Sequence, residues 1–244
     1  VVDPTPTPIP TPTPVPTPTP MATPTPTTSP SPGPTTAPLA YYKFDNGSGS
    51  TAYDSSSSGY NGTISNATWT SDSKSGQALD FNGVNGIVNL NGSRINTAGD
   101  YTVMAWVKTD TTAGWRTFLS QDGANISAFF AQKTDIDRNL ALSIHHSDST
   151  SSSKTSVSAG FVPTVGTWYH VALVHDSVDN TIKIYIDGTE RQSSSFSYGW
   201  SSSGNTIVGR GRWAGNPVDY WDGRIDEVRL YDTVISDSEI LTIY

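Results

Sequence analysis

The chain changes character at Leu39, and that break decides which part of it can fold. Residues 1–38 hold fifteen of the seventeen prolines, mostly alternating with threonine as in Thr11-Pro12-Thr13-Pro14. Alternating proline fixes φ, removes backbone donors and favours polyproline II. The segment has too few apolar side chains to offset the entropy of ordering. It is expected to be an extended, unpacked Pro/Thr-rich linker, reaching on the order of 100 Å at roughly 3.1 Å per residue. Ser and Thr with Pro also make up O-glycosylated stalks. A stiff linker implies something on its other side. The chain is therefore expected to be the C-terminal part of a larger secreted protein, extracellular or attached to a cell surface.

The roughly 200 residues from Leu39 onward suffice for one large all-β domain with its own core. The chain has no cysteine, which removes disulfide and thiolate chemistry. The net charge of −8 argues against nucleic acid and anionic membrane partners. No apolar run approaches the length of a membrane-spanning helix.

Strand follows strand in this part, with Gly, Asn, Asp and Ser turns between. Candidate strands cover residues 39–44, 62–64, 78–81, 87–90, 101–109, 117–121, 128–132, 140–145, 168–175, 181–186, 206–208 and 224–231. The run Thr181-Ile182-Lys183-Ile184-Tyr185-Ile186 alternates and meets Asp187-Gly188. It reads as a hairpin arm with Ile182, Ile184 and Ile186 facing inward. Residues 101–109 and 168–175 are apolar on both parities, which marks strands covered on both sides. Trp106, Trp168 and His170 are accordingly read as structural. Only the end looks helical, where Ser236-Asp237-Ser238-Glu239 forms a capping box before Ile240 and Leu241. Many short strands and almost no helix give an antiparallel two-sheet β-sandwich, a jelly roll or similar.

Several segments resemble one family, in order. They are Tyr42-Lys43-Phe44-Asp45-Asn46-Gly47, Asp54 to Gly62, Gly76-Gln77-Ala78-Leu79-Asp80-Phe81, and Tyr101 to Val107. Trp168-Tyr169-His170-Val171-Ala172, Ile184-Tyr185-Ile186-Asp187-Gly188 and Gly223-Arg224-Ile225-Asp226-Glu227-Val228-Arg229 complete the series. Together they resemble LamG-like modules of the concanavalin A-like lectin/glucanase type, in bacterial secreted proteins, over about residues 40–244. The resemblance implies a jelly roll and a structural calcium where the first turn meets the last strand. The matching positions are Asp45, Asn46, Asn61 and Asp226. Carboxylates and amide or main-chain oxygens are the ligands calcium takes. The same residue types also satisfy turn backbone groups. Trp221 stands where the family has a structural aromatic residue.

A sugar ligand needs rigid aromatic faces and planar polar groups, usually carried on loops. Aromatics outside the strand pattern are Trp115, Tyr198, Trp200, Trp213 and Tyr220. The turn-rich segment 209–220 adds Arg210, Arg212, Asn216 and Asp219. These nine residues are the candidate carbohydrate contacts, weighed against a role as apolar loop anchors. His145-His146 is a weaker candidate. No spacing of carboxylates suits a glycosidase, and no nucleophile elbow or metal-hydrolase motif is present.

The sequence therefore reads as a non-catalytic carbohydrate-binding module with structural Ca²⁺. It would bind polysaccharide or oligosaccharide, be covalently attached to a glycoside hydrolase domain, and be monomeric, without membrane insertion. The alternative is an adhesion or protein-interaction domain of the same fold.

Overall fold

The computed structural model describes residues 2–3 and 36–244. The linker expected over 1–38 falls outside the described residues except at those ends. Thr36 donates from its amide and its hydroxyl to Glu239 Oε1, at 3.0 and 2.9 Å.

The first strands are β1 (Ala40–Tyr42), β2 (Thr51–Ala52), β3 (Gly62–Ser65), β4 (Ala67–Thr70), β5 (Ala78–Asn82) and β6 (Ile87–Asn89). Then come β7 (Tyr101–Thr109), β8 (Arg116–Asp122), β9 (Ser127–Lys133), β10 (Leu140–His145), β11 (Lys154–Ser158) and β12 (Trp168–Asp176). The last are β13 (Thr181–Ile186), β14 (Thr189–Ser195), β15 (Thr206–Val208), β16 (Gly211–Trp213), β17 (Asn216–Val218) and β18 (Asp222–Tyr231). A short helix, α1 (Asp237–Ile243), follows.

One sheet runs β14-β13-β12-β7-β18-β5-β4, with β1 also pairing to β18. The other runs β11-β10-β9-β8-β15-β6-β3-β2. Every pairing in both is antiparallel. Strands β16 and β17 form a separate hairpin. The expected antiparallel sandwich is what the chain builds.

The main core lies between the sheets. It takes alternate residues from each strand, such as Val103, Ala105 and Val107 from β7 and Leu140, Leu142 and Ile144 from β10. Ile182, Ile184 and Ile186 join it, as their alternation predicts. Trp221 is fully buried and meets Phe118 edge-on. The opposite parity of β7 and β12 is covered as well. Met104, Ala172 and Val174 pack with Tyr185, Tyr231, Ile235 and Ile240, the last from α1. Ser236 caps this helix, accepting from Glu239 N and donating to its carboxylate.

Two readings need correction. Trp168 is only half-buried, because it starts β12 at the sheet end, near Lys108. Strands β2, β4, β11, β14, β16 and β17 were not expected. Of these, β14 is almost wholly exposed and carries no apolar residue. It is an edge strand whose pairing comes from its β13 neighbour.

His170 sits in β12 with no exposed surface, and neither ring nitrogen has a partner among the described residues. Burial pushes its pKa down to about 3, with Arg229 and Lys74 adding to the effect. The native ring is therefore neutral, while the unfolded chain takes up this proton near pH 6.5. Stability from this residue is intact above that pH and falls as pH drops toward the native value. The expected loss is about 2 kcal/mol by pH 5. Denaturant melts between pH 7 and 5 should show a proton uptake on unfolding that is smaller by up to one in His170→Leu. An equal uptake in both proteins would remove His170 as the source.

Candidate functional site

Alternation along β9 and β10 sends two sets of side chains in opposite directions. Phe129, Ala131, Leu142 and Ile144 go to the core. Phe130, Gln132, Ser143 and His145 go to the outer face, where they line a cleft of about 590 Å³. Trp115, Ser152, Ser153, Lys154, Trp213, Val218 and Asp219 complete its lining. The register explains this grouping: Ser143 lies opposite Phe130 and His145 opposite Lys154.

One wall is the β16–β17 hairpin. Its turn residues Ala214 and Gly215 both have positive φ, at 50° and 77°. Two such residues in sequence give the tight turn whose twist suits a two-residue hairpin. Gly211 lets the stem lie close on the sheet, since a Cβ there would sit 2.6 Å from the Phe130 ring. The stem is held by a buried ion pair. Arg210 Nη1 and Nη2 donate to the two Asp122 oxygens at 2.6 and 2.7 Å, and Arg212 Nε lies 3.2 Å from Asp122. At the tip, Gly215 N donates to Asn125 O. The 124–126 amides in turn donate to the Asp148 carboxylate. Asp148 belongs to the serine-rich loop that brings Ser152 and Ser153 to the cleft. The two walls are thereby braced against each other.

Within the cleft, the Trp213 and His145 rings lie 5.3 Å apart at 63°, and His145 also meets Phe130 edge-on. Trp213 keeps 39% of its surface exposed. His145 Nδ1 is buried without a partner among the described residues. Burial, and then the Lys154 charge, push its pKa down. Gln132 donates to Ser143 Oγ, leaving its own carbonyl oxygen to accept. Burial raises the pKa of Asp219, and Arg116 counters it in part. Lys154 Nζ stands 5.2 Å from the Trp115 ring. An aromatic pair and a polar floor of this kind can take a flat ligand with apolar faces and hydroxyl edges.

Of the nine sugar-contact candidates, the cleft gathers Trp115, Trp213 and Asp219. Arg210 lies outside the lining: its guanidinium is buried, held by Asp122 and donating from Nη1 to Gly211 O as well. Arg212 is divided between Asp122 and the Gly215 carbonyl. Asn216 is exposed beside the turn and donates to Ala214 O. Tyr220 is half-buried, its carbonyl accepting from Arg116. Trp200 donates from its indole to His145 O. Tyr198 stacks on His146 at 4.2 Å and 11°. Phe130, Gln132 and Ser143 join the lining from strands that read as ordinary sheet, and Lys154 from a polar run with no strand signal of its own. The one available signal was the Ser143 and His145 parity within an otherwise apolar run.

The calcium candidates divide differently. Asp226 is fully buried, and its carboxylate accepts from the amides of Lys74, Ser75 and Glu227 at 2.9, 3.0 and 2.8 Å. Burial outweighs those bonds and raises its pKa to about 7. Asp45 accepts from Gln77 N at 3.0 Å, at the other end of the same loop. A Cβ on Gly76 would fall 1.9 Å from Asp45 Oδ1. Asn46 is exposed next to Asp45. Asn61 is occupied elsewhere, accepting from Asp54 N and Asn91 Nδ2. Among the described residues, no three His, Cys, Asp or Glu side chains converge as a metal cluster. No helix among them is long and apolar enough to cross a membrane.

Solved structures that share this fold include the following three. Domain 4 of AbnA, a GH43 extracellular arabinanase from Geobacillus stearothermophilus, in complex with arabinotriose, is 24% identical with a TM-score of 0.66. That match covers 85% of this chain and 98% of the domain. The binding domain of Paraclostridial Mosquitocidal Protein 1 is 14% identical with a TM-score of 0.62, covering 85% of this chain and 51% of that one. Trypanosoma rangeli sialidase is 16% identical with a TM-score of 0.61, covering 84% of this chain and 32% of the sialidase. At these identities the likeness is one of fold. Comparison with curated protein sequences gives no match. The Laminin_G_3 family, described as the concanavalin A-like lectin/glucanases superfamily, matches residues 81–241, and the chain belongs to it.

Proposed function

We propose that this protein is a carbohydrate-binding module that holds neutral polysaccharide in the Trp115–Trp213 cleft without cleaving it. The observation that carries the reading is the pairing of two tryptophans with a floor of Gln132, Ser143, His145 and Asp219. The indoles would cover the C–H faces of the sugar, and the floor would take its hydroxyls. Asp219 is the one carboxylate among the described lining residues. A glycosidase needs two, about 5–9.5 Å apart, which favours binding over hydrolysis. The likeness to an arabinanase domain holding arabinotriose makes arabinan the first polymer to test. Retention of a glycoside hydrolase joined through the Pro/Thr segment, outside the cell, is the finer part of the proposal. Tethering would raise the local substrate concentration without adding a catalytic group. Single-site affinity should be weak, roughly micromolar to millimolar, because hydroxyls exchange water for protein at small net gain. Pull-down of the full chain on insoluble arabinan, xylan, β-glucan and fructan tests the reading. Enrichment on one neutral polymer supports it, and equal recovery on all and on a polymer-free matrix contradicts it.

Calcium belongs to the same proposal. Asp45 and Asp226 grip opposite ends of the 74–77 loop, and no cationic side chain pairs with Asp226 among the described residues. Those two carboxylates, with main-chain oxygens, suit a hard divalent ion that would brace the fold. Millimolar calcium should raise the melting temperature by several degrees, with no such rise in Asp226→Ala. A melting temperature equal in calcium and in EGTA would contradict this.

A further inference from the structure

Trp115 stands on the loop between β7 and β8, and a loop tryptophan can present its face only if its backbone is held. The holding group here is unexpected. Lys133, the last residue of β9, has no exposed surface. Its Nζ donates to the carbonyls of Thr112, Gly114 and Thr134 at 3.0, 2.6 and 3.1 Å. Gly114 is fixed from its other side as well, since its amide donates to Asp135 Oδ1 at 2.8 Å. Both backbone polar groups of the residue before Trp115 are thus engaged. Gly114 also holds a left-handed φ of 69°, so the chain turns sharply just before the indole.

A buried ammonium whose hydrogen bonds all go to carbonyls is costly, and burial pulls its pKa down while the Asp135 charge counters in part. An apolar side chain of the same length would fill the space with less penalty. What the ammonium supplies and a methyl group does not is a fixed geometry for three carbonyls at once. The neighbouring Gln132 faces the cleft while Lys133 faces away from it. The strand that forms the floor therefore also fastens the wall.

We infer that Lys133 is a positioning residue for the cleft: its ammonium fixes the Thr112 and Gly114 carbonyls so that Trp115 is set before ligand arrives. This rests on the cleft being the sugar site. Ordering in advance spares the ligand the cost of arranging the loop, so loosening the loop weakens binding.

The test is ¹⁹F NMR of the full chain labelled with 5-fluorotryptophan, with the Trp115 and Trp213 resonances assigned from Trp→Phe variants. Lys133→Met should broaden or split the Trp115 resonance and leave Trp213 sharp. It should weaken affinity for the retained polysaccharide roughly tenfold, with Lys133→Arg recovering part of the loss. Asp135 is exposed, and Asp135→Ala removes the bond to the Gly114 amide together with a carboxylate charge near the Lys133 ammonium. It should act in the same direction, by roughly threefold. An undisturbed Trp115 resonance in both variants overturns the inference, and so does a disturbed resonance with unchanged affinity. If the unmodified chain binds no polysaccharide, the sugar reading fails by itself. The Trp115 resonance then still decides whether Lys133 sets the loop.

Discussion

Asp122→Ala is expected to lower stability by about 3–5 kcal/mol, because it leaves the Arg210 guanidinium buried and unpaired. For a domain of this size that is roughly 10 °C in melting temperature. The pair is bidentate and both partners are nearly inaccessible, at 8% and 5% side-chain exposure. It is therefore screened little by solvent or salt. Asp122 also accepts from Ser127 Oγ and lies beside Arg212 Nε, so one carboxylate anchors the whole base of the hairpin. Replacing both partners by apolar residues, as in Asp122→Leu with Arg210→Met, should restore much of the loss. Thermal melts of the three proteins check this. A loss under 1 kcal/mol in the single variant would mean that the guanidinium finds water instead.

Trp213→Ala is expected to weaken polysaccharide binding by roughly thirtyfold, about 2 kcal/mol, as for a central aromatic anchor. The fold should stay intact, since the ring is part-exposed and rests on His145 without entering either core. Calorimetric titration with the matching oligosaccharide, beside a melt of each protein, separates the two effects. Asp122→Ala should weaken binding too, through the hairpin it anchors. Only in Trp213→Ala should affinity fall while the melting temperature holds.

Central strands were legible because their two faces are both covered. The 101–109, 140–145 and 206–208 runs are apolar enough to state their own ends, while 181–186 is legible from its alternation. Edge strands were not. Thr189–Ser195 and Lys154–Ser158 are polar sequences that become strands only because β13 and β10 offer unpaired edges. At the site, Trp115, Trp213 and Asp219 stood out as loop residues of the right chemistry. Phe130, Gln132 and Ser143 did not, since a residue on the outer face of a sheet looks like any strand residue until a hairpin roofs it. The surroundings of Arg210 were hidden for a related reason. In sequence it is a loop cation beside a tryptophan, and its partner Asp122 lies 88 residues earlier. Lys133 was equally silent, because burial of an ammonium against loop carbonyls leaves no pattern along the chain.

The central claim is that polysaccharide is held in the Trp115–Trp213 cleft. Affinity electrophoresis of the full chain through gels carrying arabinan and the other neutral polymers tests it most directly. The unmodified chain, Trp115→Ala, Trp213→Ala and Tyr198→Ala would run side by side. The account predicts that one polymer retards the unmodified chain and Tyr198→Ala, while both tryptophan variants run free. Retardation of the two tryptophan variants with release of Tyr198→Ala would move the site to the Tyr198–His146 surface and contradict it.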